Sequence, residues 1–169
     1  MNRAKIAQEE FGGLKLITLG VFEDFRGEYV ETYDKQYYQE ELNIKDEFIQ
    51  DDISVSHKNV LRGFHGDYET AKLVQCLHGT LYNVVVDNNP NSPTYYKWKG
   101  FVLSAANRHQ LYIPKGFGNA VLTLSDNAVY HYKQTTSYVV GKQFTLKWND
   151  PKLNINWGIT NPILSDRDR

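Results

Sequence analysis

The chain has 169 residues, 41% of them apolar and only five of them proline, which is the make-up of a folded globule rather than a disordered segment. Nineteen Lys and Arg against twenty Asp and Glu leave a formal charge of −1, so the basic surface that would serve nucleic acid or an anionic membrane is not expected. Partners should then be small molecules or a second copy of the chain, and residues 1–169 should form one domain.

From the N-terminus, "MNRAKIAQEEFGG" has no apolar core of the kind a secretory leader needs, and no run of about eighteen apolar residues follows anywhere. A cytoplasmic location is expected. Strands are predicted over 14–24, 27–34, 48–57, 72–79, 80–89, 95–104, 109–116, 119–127, 128–137 and 142–150. Each is rich in aromatic and β-branched residues and is bounded by Gly, Asn, Asp or Pro. One short helix is predicted over 34–42, with Asp34 as its N-cap. Turns at 77–80 ("LHGT") and 124–129 ("LSDNAV") read as hairpins. Ten short strands at this spacing predict an all-β sandwich or barrel.

Single residues sharpen the picture. Cys76 has no partner for a disulfide and sits among Leu73, Val74 and Leu77, so it reads as a buried structural thiol. In "AVYHYKQ", Val129, His131 and Lys133 share one face and Tyr130, Tyr132 and Gln134 the other. The stretch "LRGFHGDYETAKLV" crowds Arg62, His65 and Lys72 between apolar runs. Gly63 there reads as a bulge that turns Arg62 and His65 to the same side despite their spacing. Each cation alone is more readily a rim charge or a satisfied histidine. Together they call for an anionic ligand or anionic compensation. His57, His78, His109 and His131 read as structural or surface residues, and Trp98, Trp148 and Trp157 as core or interface.

Five segments in order, "NVLRGFHGDYETAKLVQCLHGTLYNVVVD", "SPTYYKWKGFVLSAANRHQLYIPKGF", "LSDNAVYHYKQTTSY", "WNDPKLNINW" and "PILSDRD", resemble the dTDP-4-dehydrorhamnose 3,5-epimerase family. The resemblance implies a cupin-type jelly roll with one or two short helices. It implies a cofactor-free enzyme inverting C3, C5 or both in a nucleoside-diphosphate 4-keto-sugar, for cell-surface polysaccharide synthesis; no metal is expected, because His65 has no companion histidines near it and Asn119 stands where a ligand could have been. By the same resemblance His65 is the general base, Asp168 its carboxylate partner, Lys72 the cation at the enolate oxygen and Tyr132 the acid on the opposite face. Arg26, Glu31, Gln50, Asp52, Arg62, Asn119, Tyr138 and Arg167 fall where the family holds nucleotide and sugar. The family also implies a homodimer in which the "DFRG" region serves the neighbouring site.

Three departures bear on the substrate. Asn119 stands where the family has histidine, Asp52 where it has asparagine, and the segment between His65 and Lys72 is short. A GDP-linked or heptose sugar is therefore as admissible as dTDP-4-keto-6-deoxyglucose. The rivals are a metal-dependent cupin, which would need further histidines, a 3,4-ketoisomerase, and a non-catalytic sugar-binding module. A binding module has no need of a base and an acid on opposite faces.

Overall fold

The computed structural model describes residues 3–169. Among the described residues thirteen strands run in order: β1 (Lys5–Glu9), β2 (Lys15–Thr18), β3 (Val21–Asp24), β4 (Gly27–Val30), β5 (Gln50–His57), β6 (Leu61–Gly66), β7 (Lys72–His78), β8 (Thr80–Asp87), β9 (Trp98–Ser104), β10 (His109–Ile113), β11 (Phe117–Thr123), β12 (Asn127–Gln134) and β13 (Phe144–Thr145). The helix α1 (Lys35–Glu40) is capped by Asp34, whose carboxylate accepts from the Tyr37 amide, as its sequence position requires. A 3₁₀ turn, Asp166–Asp168, ends the chain. No described helix is long and apolar enough to cross a membrane.

Two antiparallel sheets face each other. One has the order β1-β2-β10-β7-β12-β5, the other β13-β6-β11-β8-β9, while β3 and β4 form a separate hairpin. From β5 to β12 successive strands alternate between the sheets, except that β8 and β9 pair as neighbours in one sheet, and this makes the architecture the cupin-type jelly roll. The space between the sheets is filled at one end by Leu14, Val74, Leu81, Val85, Leu103, Leu111 and Ile113, all essentially buried. Each such side chain contributes about 1.5–3 kcal/mol on burial. Two further clusters cover the outer faces. Leu153 and Trp157 of the C-terminal segment pack on Leu61, Phe64, Val84 and Leu122, and α1 brings Tyr38 and Leu42 onto Ile17 and Leu73.

Several expectations are corrected here. The turns at 77–80 and 124–129 do not close hairpins, because β7 and β8 lie in different sheets, as do β11 and β12. Turn chemistry records a reversal of direction, not which strand the chain will pair with. The run 14–24 is broken into β2 and β3. In 142–150 only β13 has ladder geometry, continued by reciprocal backbone bonds between Phe64 and Leu146 (3.2 Å each). Strands β1 and β6 were not among the predicted ten. β1 is a polar edge strand, and β6 carries two glycines with Arg62 and His65, which lowers its strand propensity below what its central pairing with β11 supplies.

Candidate active site

The sheets splay at one end around a cavity of about 380 Å³. Gln50, Asp52 and Ser54 of β5 reach it by simple alternation, as do Tyr130, Tyr132 and Gln134 of β12 and Lys72 at the head of β7. The opposite wall is Arg62 and His65 of β6 with Asn119 and Val121 of β11. Loop residues Tyr138 and Gln143 and the C-terminal Ser165, Arg167 and Asp168 complete the lining.

The wall from β6 depends on an irregular backbone. Asn119 pairs with His65 and Val121 with Arg62, so two steps along β11 oppose three along β6. That bulge puts Arg62 and His65 on one side while Phe64 turns away to pack on Trp157, as the sequence reading of Gly63 expected. Gly63 has φ +107°, and a Cβ there would stand 2.4 Å from the Asn119 carbonyl oxygen. Glycine alone meets both demands.

His65 and Asp168 form a buried pair. The carboxylate is 4% exposed; its Oδ1 takes His65 Nε2 at 2.7 Å and the Gly63 amide at 3.3 Å, and its Oδ2 takes the Ser165 hydroxyl at 2.7 Å. Burial draws the His65 pKa below its ordinary value, against the opposing pull of Asp168. The imidazole is thus neutral and proton-accepting near pH 7. Across the cavity, burial and then Asp52 hold the Tyr132 phenol above its usual pKa, so it remains a proton donor.

Lys72 is buried, and burial lowers its pKa. Asp67 and Asp52 act on it through space, yet among the described residues no carboxylate forms an ion pair with it. A buried ammonium without a paired anion suits an oxygen that becomes negative during reaction.

The remaining cations stand at the rim. Arg62 spends Nε on Ser56 Oγ at 2.9 Å, and Arg167 makes two long bonds, to Thr145 and Gln143 at 3.3 Å. Asp52 Oδ2 accepts from Gln50 at 2.7 Å and Gln134 at 2.9 Å, and Gln50 Oε1 accepts from the Tyr138 amide. The loop bearing Tyr138 is thereby tied to β5.

Ten of the twelve residues named from sequence line this one cavity. Arg26 and Glu31 do not. Arg26 sits at the exposed tip of the β3–β4 hairpin, bonded to Asp24, and Glu31 pairs with Arg3 at 2.5 Å. Ser54, Val121, Tyr130, Gln134, Gln143 and Ser165 were not named. The alternation on β5 and β12 carried the signal for Ser54, Tyr130 and Gln134, and Ser165 lay within the quoted "PILSDRD". Gln143, on a loop, had none. Cys76 is buried and donates to the His78 carbonyl, with its thiol pKa raised by burial, as expected of a structural residue. Among the described residues no three His, Cys, Asp or Glu side chains gather in a metal-binding cluster.

Known proteins are similar to this chain along nearly its whole length. The family model for dTDP-4-dehydrorhamnose 3,5-epimerase matches residues 8–169. The Escherichia coli K12 enzyme of that name is 40% identical over 167 residues, covering 96% of this chain and 90% of its own. A crystal structure of the Bacillus anthracis epimerase with TDP and pyrophosphate bound superposes with a TM-score of 0.94 at 37% identity, over 98% of this chain and 97% of that one. The Legionella pneumophila enzyme in complex with dTDP-4-keto-L-rhamnose gives 0.93 at 37%, over 98% and 90%. With near-complete coverage in both directions and a matching model over almost every residue, the chain belongs to the dTDP-4-dehydrorhamnose 3,5-epimerase family.

Proposed function

We propose that this chain inverts C3 and C5 of a dTDP-linked 4-keto-6-deoxy sugar without a cofactor. The observation that carries the reading is the placement of the Asp168-held His65 on one sheet and Tyr132 on the other, with the unpaired Lys72 ammonium in the same cavity. His65 takes the hydrogen from the carbon beside the ketone. The electron pair moves onto the C4 oxygen, where Lys72 stabilises the enolate. Tyr132 then gives its phenolic proton to the carbon from the opposite face, and the phenolate and imidazolium reset with solvent.

Arg62, Arg167, Tyr138, Gln50 and Asp52 line the same cavity and would hold the nucleotide and sugar, the guanidinium groups being suited to diphosphate oxygens. The likeness to TDP- and dTDP-sugar-bound relatives favours thymidine over the GDP alternative. A homodimer gives Arg26 a role that one chain cannot. The hairpin tip carries Phe25, 98% exposed, beside Arg26, and the edge strand β5 leaves Ile53 and Val55 exposed on its outer face. Such apolar surface suits a second copy, and a hairpin crossing to it would bring Arg26 to the neighbour's cavity.

Incubation with dTDP-4-keto-6-deoxyglucose, followed by NMR, should show both centres inverted, unaffected by a chelator. TDP should raise the melting temperature more than GDP or UDP by ligand linkage. Inversion at one centre alone would narrow the reaction to mono-epimerisation. Activity that is lost on chelation and restored by metal would overturn the proposal.

A further inference from the structure

Three neutral side chains close a hydrogen-bonded ring beside the cavity. Asn83 Nδ2 donates to Asn119 Oδ1 at 2.7 Å, Asn119 Nδ2 donates to the Tyr130 hydroxyl at 2.8 Å, and that hydroxyl donates to Asn83 Oδ1 at 3.1 Å. All three residues are buried; Asn119 and Tyr130 line the cavity and Asn83 does not. A buried polar network is tolerated when every member is satisfied, and it then rigidifies what it joins. Here it joins the two sheets, since Asn83 lies on β8 and Asn119 on β11 of one, and Tyr130 on β12 of the other.

Two of its members neighbour the two proton-transfer groups along the strands. Asn119 is the direct cross-strand partner of His65 on β6. Tyr130 precedes Tyr132 by two residues on the same face, with ring centroids 5.6 Å apart. Burial keeps the Tyr130 hydroxyl protonated far above neutrality, and both its hydrogen-bonding roles are taken up within the ring. It is therefore unsuited to act as the acid itself.

We infer that the Asn83–Asn119–Tyr130 ring is a positioning device that sets where Tyr132 stands relative to His65, and so decides whether an enolate is reprotonated with inversion or with retention. The inference rests on the epimerase reading. Once His65 has removed the hydrogen, two acids compete for the same carbon: the His65 imidazolium on the face just vacated, and the Tyr132 phenol on the other. Whichever is better placed delivers the proton. A ring spanning both sheets fixes that competition without contributing a charge of its own. The residue Asn119, expected from sequence among the substrate-binding groups, spends its oxygen and one N–H on this ring.

The test separates exchange from inversion. In heavy water, deuterium entering C3 and C5 with retained configuration is counted against deuterium entering with inverted configuration, for the unsubstituted chain and for Tyr130→Phe, Asn83→Leu and the double variant. Each single variant should lower the ratio of inversion to exchange roughly ten- to hundredfold, the scale on which a small displacement of a reacting group acts. The double variant should add little, because either change opens the same ring. Asn83 is off the cavity wall, so an effect there cannot come from lost substrate contact. If the ring merely supports the fold, exchange and inversion fall by the same factor, and an unchanged ratio in a variant that still melts cooperatively overturns the inference. Should one variant fail to fold, the other decides. An unsubstituted protein that neither exchanges nor inverts would instead strike down the epimerase reading, a failure distinct from an active enzyme with an indifferent ring.

Discussion

The proposed base, His65, and the proposed acid, Tyr132, reach the cavity by opposite routes. Tyr132 stands on an unbroken stretch of β12, paired on one side with Asp52 of β5 and on the other with Val74 of β7, and strand alternation alone aims it inward. His65 needs a bulge at a glycine with positive φ, a partner carboxylate from 103 residues away, and a serine to hold that carboxylate. An acid that donates one proton can be presented by regular structure. A base that must be both desolvated and steered requires contacts from several parts of the chain, the C-terminal turn among them.

That contrast can be broken most severely at His65. His65→Asn removes the base, so no enolate forms, and deuterium exchange and inversion should both disappear in an NMR assay in heavy water. Surviving exchange would place the base elsewhere. Tyr132→Phe should leave exchange running while inversion drops by roughly 10²- to 10⁴-fold, the usual worth of a positioned general acid. Normal inversion by this variant would mean that another group or a water delivers the proton.

Asp168→Asn tests how much the base owes to its support. The amide still fills the site but no longer offers a carboxylate to the imidazole, so exchange and inversion should slow together by roughly ten- to hundredfold, as for loss of an orienting partner. A change in the ratio of the two would show that Asp168 also governs Tyr132.

The mildest probe is pH. Burial lowers the His65 pKa and raises that of Tyr132, so base and acid are both in their working forms from below pH 6.5 to above pH 10. The acid limb of kcat/KM should therefore fall below the ordinary histidine value, with activity lost as pH drops through it and the imidazole protonates. The sign for stability is the same. A depressed histidine pKa makes the unfolded state bind more protons, so this contribution is lost as pH falls below about 6.5. An acid limb above 6.5 would mean that Asp168 outweighs burial.

Much of this was legible in the residues. Aromatic and β-branched runs bounded by turn residues located β5 and β7 to β12, alternation sorted β12 into two faces and left open which one points inward, the Asp34 cap was read correctly, and Gly63 between Arg62 and His65 announced the bulge. These are local signals, carried by side-chain alternation, backbone freedom and capping chemistry within a few residues. The tertiary structure alone decided that the turns at 77–80 and 124–129 pass between sheets, that β6 is a strand despite its glycines, and that Asp168 and Ser165 close on His65. It also joined Asn83, Asn119 and Tyr130 into one ring and left Arg26 and Glu31 away from the cavity. Each of these depends on which distant segments pack together, and pairing across 30 to 100 residues is set by the collective burial of the two sheets, not by any window of sequence.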